Sequence, residues 1–177
     1  MNYEIRELTY DTIADYMQVN TKAWQETYRG IINDDFLEKI NKEIDNNIRK
    51  QQDKFYNENK TYQRYILYVN DKAVGMFSID KCRLEQYSNS GEIVALYLLN
   101  EVKGLGYGKI IFKYALNELL KCGYKSAVVC CLKLNISNEF YKHMGCQYIS
   151  TRIWTVGEQQ LEENIYYIKS IEEILNY

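Results

Sequence analysis

Short apolar or alternating segments and segments with helical periodicity follow one another along the whole chain, with no internal repeat and no linker. Residues 3–8 alternate as a strand does, and from Thr9 onward apolar side chains recur at approximately helical spacing. Gly30 predicts that this first helix ends near Tyr28. A second helix is predicted from its capping residue, Asn33. The apolar positions on its buried side are Leu37, Ile40, Ile44, Ile48 and Phe55.

The middle of the chain contains two pairs of strand-like segments. Residues 65–70 and 73–80 are strand-like and are separated by a turn at Asn70, Asp71 and Lys72, which predicts a β-hairpin. Residues 93–99 and 127–132 are apolar without alternation and are too short for buried helices of ordinary length. They are therefore predicted to be central strands that are covered on both faces.

The segment between these two central strands has the pattern of a helix that ends at Gly123. Its apolar positions are Ile111, Ala115, Leu119 and Leu120. Strand, helix and strand together predict a right-handed parallel crossover. A short helix ending at Gly145 and an antiparallel strand pair around Gly157 complete the chain. The prediction is the α/β fold class, with one layered domain over residues 1–177 around a mixed sheet.

Composition supports one globular domain and argues against several kinds of partner. Of the 177 residues, 46% are hydrophobic and 26% are charged, which suits a single core of ordinary size. The net charge of −2 and the lack of a basic stripe argue against a nucleic-acid partner. No apolar segment approaches the roughly 20 residues that cross a bilayer, so no membrane partner is expected.

Histidine and cysteine usage narrows the chemistry further. His143 is the only histidine, which argues against a histidine-rich metal centre, and no metal is expected. The five cysteines include no Cys-x-x-Cys spacing, and the N-terminus lacks the pattern of a signal peptide. A reducing, cytoplasmic location is therefore expected. Cys130 and Cys131 are adjacent and would point to opposite faces of a strand, so packing is their expected role.

The most informative segment, residues 101–109, lies between a predicted central strand and the start of a predicted helix. Its glycines permit backbone conformations closed to other residues and let a ligand approach the N–H groups. Because helix N-terminal N–H groups have no partner within the helix, an anion is the expected ligand, most simply a phosphate. Lys103 and Lys109 would add two positive charges.

Two nucleotide-binding motifs and a purely structural turn are the alternatives for this segment. A P-loop needs Ser or Thr where Ile110 stands, and a dinucleotide fingerprint beginning at Gly104 needs a small residue where Lys109 stands. Neither nucleotide motif is met. A glycine turn that only reverses the chain would not explain why three glycines coincide with a helix start and two lysines.

These residues resemble the signature of the GNAT superfamily of N-acetyltransferases, which opens the helix that binds the pyrophosphate of acetyl-CoA. The signature is Arg or Gln, two residues, Gly, one residue, and Gly or Ala. Lys103, Gly106 and Gly108 match it, with Lys at the first position. The other positions similar to the family are Trp24, Tyr28, Gly30, Leu37, Ser137, Phe140, Tyr141 and Gly145.

The resemblance implies a mixed, mostly antiparallel sheet whose central parallel strands are splayed apart, with helices on both faces. Acetyl-CoA would be the cosubstrate, and its pantetheine arm would pair with the backbone of one central strand. The family often has Asn seven residues before the matching tyrosine, whereas here Leu134 has that place and Asn135 follows. The residues that the resemblance assigns to coenzyme binding are Leu96, Tyr97, Leu98, Lys103, Gly104, Leu105, Gly106, Tyr107, Gly108, Lys109, Asn135, Ser137 and Tyr141.

The implied activity is transfer of an acetyl group to a primary amine by direct attack. By resemblance, Tyr141 donates a proton to the departing thiolate and Glu92 acts as general base, while a backbone N–H near Leu98 stabilises the oxyanion. Packing is the alternative role for Tyr141, and a solvated or substrate-attracting carboxylate is the alternative for Glu92. The alternative functions are a non-catalytic acyl-CoA-binding regulatory module and a transferase for a longer acyl donor.

The acceptor is expected near the segment that joins the first two helices, where Trp24 and Tyr28 offer aromatic faces to a cationic amine. Helical spacing makes core packing the alternative for Trp24. A small-molecule amine and a protein amine are both open as acceptors. The aromatic residues of the closing strands, Trp154, Tyr166 and Tyr167, either form a homodimer seam or pack inside.

Overall fold

A computed structural model gives the structure of the chain and describes residues 2–57 and 61–176. Its strands are β1 (Tyr3–Glu7), β2 (Gln63–Val69), β3 (Lys72–Lys81), β4 (Gly91–Leu98), β5 (Ala127–Leu132), β6 (Gln147–Val156) and β7 (Gln159–Ile168). Its helices are α1 (Ile13–Tyr28), α2 (Asp34–Lys42), α3 (Ile44–Lys54), α4 (Tyr107–Lys121), α5 (Ser137–His143) and α6 (Ile171–Asn176). Short 3₁₀ helices cover Tyr10–Thr12, Phe55–Asn57, Glu85–Tyr87 and Asn100–Val102. Across the described ranges, no helix has the length and apolar character that a membrane span requires.

The strands form one seven-stranded sheet in the order β1-β2-β3-β4-β5-β7-β6 within the described residues. β1 pairs antiparallel with β2, and β7 pairs antiparallel with both β5 and β6. β4 and β5 pair in parallel, in a register that runs from Gly91↔Ala127 to Ile93↔Val129. The predicted α/β fold class, a mostly antiparallel sheet with one parallel pair and surrounding helices, is confirmed.

Contacts divide the chain into two compact units, and the first comprises Met1–Ser78 and Ala95–Ile111. Helix α1 packs on the sheet of this unit through Ile13, Tyr16, Val19 and Ala23, which are buried, are spaced three or four residues apart and so form one apolar face. The core residues of the unit are Leu8, Ile13, Tyr16, Val19, Ala23, Ile66, Tyr68, Met76 and Leu99.

The second unit comprises Ile79–Val94 and Phe112–Tyr177. Within it, β5 is buried at five of its six positions, as predicted for a strand covered on both faces. Tyr166 of β7 is fully buried, and the neighbouring Tyr167 stacks on Tyr87 at a ring-centroid distance of 4.9 Å. Tyr166 therefore packs inside this unit, Tyr167 is half-buried, and the homodimer stays a prediction.

The predicted hairpin turn and the predicted end of the first helix agree with the structure, whereas one predicted helix does not. Asn70 and Asp71 have φ of 47° and 62°, the pattern of a type I′ turn between β2 and β3. Helix α1 ends at Tyr28, as predicted. The prediction of one second helix was wrong: the segment forms α2 and α3, because Glu43 between them has left the helical region, at φ −90° and ψ 7°.

Candidate active site

The glycine segment takes the backbone shape that its composition predicts. After β4 and one 3₁₀ turn, Gly104 and Gly106 have φ of 77° and 88°, and α4 begins at Tyr107. A Cβ built on either glycine would have no heavy atom within 4 Å. Backbone conformation therefore favours glycine at both positions, and the space beside each glycine is open to a ligand.

The start of α4 offers donors to an anion. Because α4 begins at Tyr107, the N–H groups of its first turn point out of the helix end, where the helix dipole adds positive charge. Lys103 and Lys109 are exposed on this segment. Lys103 Nζ donates to Asn100 Oδ1 at 2.8 Å, and this acceptor carries no charge. The segment therefore has the backbone geometry and the charge that a phosphate group requires.

Three contacts fix the approach to this segment within the first unit. The Leu99 N–H donates to the Val74 carbonyl at 2.8 Å, and the Asn100 N–H donates to Glu26 Oε2 at 2.6 Å. Lys72 forms a salt bridge of 2.8 Å with Glu101. Sequence reasoning missed Glu26, because nothing in a pattern along α1 indicates a hydrogen bond to a residue 74 positions away.

The end of β4 holds the three residues whose backbone is predicted to meet the pantetheine arm. The parallel register with β5 covers Gly91–Ile93, whereas β4 continues to Leu98. Leu96 and Tyr97 are half-buried and Leu98 is buried. A Cβ on Gly75 of β3 would lie 2.6 Å from Leu98 Cδ2, so Gly75 makes room for this side chain. The signal for Gly75 was present, since a glycine inside a strand pattern indicates close approach.

Four aromatic residues, Trp24, Tyr28, Phe36 and Tyr97, form what we call the aromatic cluster. The Trp24 ring centroid lies 5.1 Å from that of Tyr28, 6.4 Å from Phe36 and 6.5 Å from Tyr97. The hydroxyl groups of Tyr28 and Tyr97 are hydrogen-bonded at 2.8 Å. Tyr28 is buried, and the other three rings are half-buried. The structure thus joins both predicted acceptor residues to Tyr97, and it adds Phe36, which sequence reasoning missed.

Glu92 lies at the start of β4 in the second unit and is bound to Arg83. The Arg83 side chain donates to both carboxylate oxygens, from Nη2 at 2.7 Å and from Nε at 3.1 Å, and its backbone N–H donates at 3.1 Å. Glu92 is 2% exposed and Arg83 is 62% exposed, so the carboxylate is buried rather than solvated. The hydrogen bond with Glu92 raises the pKa of Arg83 above its ordinary value.

Tyr141 lies in the second turn of α5 and is 5% exposed. Its ring centroid is 5.4 Å from Phe140, 5.9 Å from Tyr166 and 6.2 Å from Phe112. These contacts hold the ring in one place. His143, two residues later, is exposed.

Strand register places Glu92 and Tyr141 on opposite faces of the sheet of the second unit. Glu92 is paired with Val128, and Val128 is paired with Tyr167, so these three side chains share one face. Tyr141 contacts Tyr166, whose side chain points to the other face because successive strand residues alternate. The two predicted catalytic groups therefore approach the sheet from its two sides.

Asn135 and Ser137 sit where β5 passes into α5. Asn135 Oδ1 accepts the Ser137 N–H at 2.9 Å, which satisfies one donor at the start of the helix. Asn138, which sequence reasoning missed, is 6% exposed and donates from Nδ2 to the Leu132 carbonyl at 2.8 Å. Its Oδ1 accepts from the Tyr166 hydroxyl at 2.8 Å. These bonds fix α5, and with it Tyr141, on the second unit.

Three cysteines, of which Cys131 and Cys146 are buried and Cys130 is half-buried, are poor nucleophiles. Burial raises the pKa of Cys130, Cys131 and Cys146 to about 12 in each case. At neutral pH these thiols are protonated, and the thiolate is the nucleophilic form. In the part of the chain that the structure describes, no group of His, Cys, Asp and Glu side chains has the arrangement of a metal site.

Comparison with sequence families and curated proteins gives two matches. The model of the acetyltransferase (GNAT) family matches residues 21–146. The uncharacterized N-acetyltransferase YuaI of Bacillus subtilis (strain 168) is 26% identical over 161 residues, which are 90% of this chain and 88% of YuaI.

Solved structures with the same fold include two with a coenzyme. PaiA N-acetyltransferase of Thermoplasma acidophilum, in complex with coenzyme A, has a TM-score of 0.67 at 16% identity, covering 93% of this chain and 98% of PaiA. YncA of Salmonella typhimurium, solved with acetyl-CoA, has a TM-score of 0.67 at 14% identity, covering 97% of this chain and 95% of YncA. At these identities the likeness shows the fold alone.

Proposed function

The chain belongs to the acetyltransferase (GNAT) family, and on that premise we propose that it transfers an acetyl group from acetyl-CoA to a primary amine by direct attack. The observation that carries this proposal is the glycine segment at the start of α4. Gly104 and Gly106 combine positive φ with open space, and the first turn of α4 adds backbone donors. A diphosphate is the anion that we assign to this segment.

The other proposed coenzyme contacts lie at the end of β4, on the glycine segment and at the start of α5. The backbone of Leu96, Tyr97 and Leu98 continues beyond the register that β4 shares with β5, which suits pairing with the amides of the pantetheine arm. Lys103 and Lys109 add charge at the diphosphate. Asn135 and Ser137 stay proposed coenzyme residues, and the hydrogen bond between them supports a preformed backbone at the start of α5.

Acetyl-CoA supplies an acyl group that is activated as a thioester. A backbone N–H near Leu98 donates to the carbonyl oxygen as negative charge develops there. The Tyr141 hydroxyl donates a proton to the departing sulfur, and the proton that the attacking amine loses passes to water, from which the tyrosine recovers its own. The aromatic contacts of Tyr141 support this assignment, because a rigid ring keeps its hydroxyl in place at no further entropic cost. The raised pKa of the Cys130, Cys131 and Cys146 thiols supports direct attack by the amine rather than an acyl-enzyme.

Glu92 has two roles open to it, general base and structural carboxylate. Its three hydrogen bonds from Arg83 favour the structural role, because a base must accept a proton from the amine or from a water molecule bound to it. We therefore assign Glu92 to holding the segment around Arg83 against β4. The base role stays a prediction with a distinct mutational signature.

An amine screen tests the proposed function. The purified chain is incubated with acetyl-CoA and a panel of primary amines, and the release of free thiol is followed. The proposal expects amine-dependent thiol release together with one acetylated product. Saturable coenzyme binding without turnover on any amine would instead favour the regulatory module. A higher rate with propionyl-CoA or a longer thioester would favour the other acyl donor.

A further inference from the structure

Three of the four rings in the aromatic cluster are only half-buried, so the cluster is not fully enclosed in the core. Trp24, Phe36 and Tyr97 keep part of their surface exposed, although each ring packs against others in the cluster. Large aromatic rings that are buried only in part can present a face to a cation, and Trp is the strongest such partner. The cluster lies in the first unit, together with the end of β4 and the glycine segment.

The Tyr28–Tyr97 hydroxyl pair adds a polar group to this apolar surface. One hydroxyl donates to the other at 2.8 Å, so two polar oxygen atoms lie among the aromatic rings. Tyr97 belongs to the part of β4 assigned to the pantetheine arm. The cluster therefore adjoins, along the chain, the residues proposed to place the thioester.

Chemistry restricts which nitrogen the rings can bind. The nitrogen that attacks the thioester must be neutral, and an aromatic face attracts a nitrogen because that nitrogen is charged. One nitrogen cannot satisfy both conditions at once. An acceptor bound by the rings in its reactive form must therefore carry a second cationic nitrogen, separate from the one that reacts.

The chain neighbours of Phe36 are compatible with a cation. Asp34 and Asp35 occupy the first turn of α2, are exposed and directly precede Phe36. Lys39 and Lys42 lie in the last turn of the same helix, and Lys42 is 3.4 Å from Glu38. The acidic end of α2 is thus the end that carries the aromatic ring.

We propose that the aromatic cluster binds a second, non-reacting cationic nitrogen of the acceptor, and that the preferred substrates are diamines or larger amines with two cationic groups. This inference rests on the proposed function, since it names the substrate class of the same site. It predicts a preference that depends on charge at a distance from the reacting nitrogen rather than on chain length.

Matched substrates and matched variants test the inference. The kcat/KM values for 1,4-diaminobutane and for butylamine are measured with acetyl-CoA by thiol release. The diamine is expected to be preferred by about tenfold, in line with one desolvated cation–π contact. Trp24→Leu and Phe36→Leu each remove a ring but keep an apolar side chain, and each is expected to reduce this preference at least about threefold. Phe55→Leu, the same change at a half-buried ring outside the cluster, is expected to keep the preference.

Each outcome decides the inference. Equal kcat/KM for the two amines, or a preference that neither Trp24→Leu nor Phe36→Leu reduces in folded protein, overturns it while leaving the proposed function in place. Folding of each variant is checked by its thermal unfolding transition, and the two independent variants cover the failure of one to fold. Absence of thiol release with every amine overturns the proposed function, and the inference with it.

Discussion

At the scale of single residues, the Tyr141 hydroxyl is the group whose removal separates catalysis from packing. Tyr141→Phe keeps the ring and its contacts with Phe112, Phe140 and Tyr166, so stability is expected to change little. Loss of the proton donor is expected to lower kcat by about a hundredfold, with the Kd for acetyl-CoA nearly unchanged. Steady-state kinetics and calorimetric titration measure the two quantities.

Tyr148→Phe is the matched control for this variant. Tyr148 is 50% exposed, and its hydroxyl hydrogen-bonds Thr151 at 2.9 Å. Turnover of Tyr148→Phe is expected to equal that of the unmodified chain. Equal turnover of Tyr141→Phe would remove the proton-donor assignment and leave packing as the role of this residue.

The variants Glu92→Gln and Arg83→Ala distinguish the two roles of Glu92, because each role predicts different effects on stability and turnover. If Glu92 is structural, both variants lower the free energy of unfolding, by about 1–3 kcal/mol, because one charged partner is lost. The lower part of that range suits Glu92→Gln, because it leaves a neutral amide beside an Arg83 that is 62% exposed. The upper part suits Arg83→Ala, because it leaves a carboxylate that is 2% exposed without its charged partner. We expect both variants to keep turnover within about tenfold at high pH, where the amine is already neutral.

Denaturant unfolding measures the free energy of unfolding of both variants, and a pH–rate profile measures their turnover. A general base would behave differently from a structural carboxylate. Glu92→Gln would then lose turnover by a hundredfold or more, in the range reported for base catalysis, while Arg83→Ala would not. That result would restore the base assignment.

At the scale of elements, two glycines at the two ends of α4 provide a controlled comparison. Gly106 precedes the helix with φ of 88°, and Gly123 follows it with φ of 92°. At both positions a Cβ would have nothing within 4 Å. Gly106→Ala and Gly123→Ala are therefore expected to cost a similar amount of stability, about 1–2 kcal/mol for a left-handed alanine.

Only the first variant should affect the coenzyme. A methyl group at Gly106 would occupy the space assigned to the diphosphate, so the Kd for CoA is expected to rise at least tenfold, about 1.4 kcal/mol. The Kd for Gly123→Ala is expected to stay unchanged. If both variants bind CoA as the unmodified chain does, the segment is a turn without a ligand.

Element patterns were predictable from sequence where short-range chemistry sets them. The hairpin turn at Asn70 and Asp71, the glycine segment and α4 each depend on neighbours in the chain, and all three were predicted. The break at Glu43 was not predicted, because the apolar positions continue through it at helical spacing.

Side-chain pairings across the fold were out of reach of the sequence. Arg83 is nine residues from Glu92, and Tyr28 is 69 residues from Tyr97. Each pairing depends on strand and helix packing that no local pattern specifies. The backbone shape of the glycine segment was therefore predictable from the sequence. The polar and aromatic contacts of Glu92 and of the aromatic cluster emerged only from the structure.

At the scale of the whole molecule, the prediction of one domain over residues 1–177 has a thermodynamic consequence. β3, β4 and α4 each contribute residues to both compact units. Unfolding of one unit would therefore disrupt elements of the other, and a single cooperative transition is expected. Far-ultraviolet circular dichroism and tyrosine fluorescence should report the same midpoint temperature. Two separated transitions would show that the units unfold independently.

The most direct test of the whole account is calorimetric titration of the folded chain with CoA. We predict saturable binding of one CoA per chain, with a Kd that rises at least tenfold in Gly106→Ala and is unchanged in Gly123→Ala. Absence of any binding of CoA or acetyl-CoA to well-folded protein would contradict it.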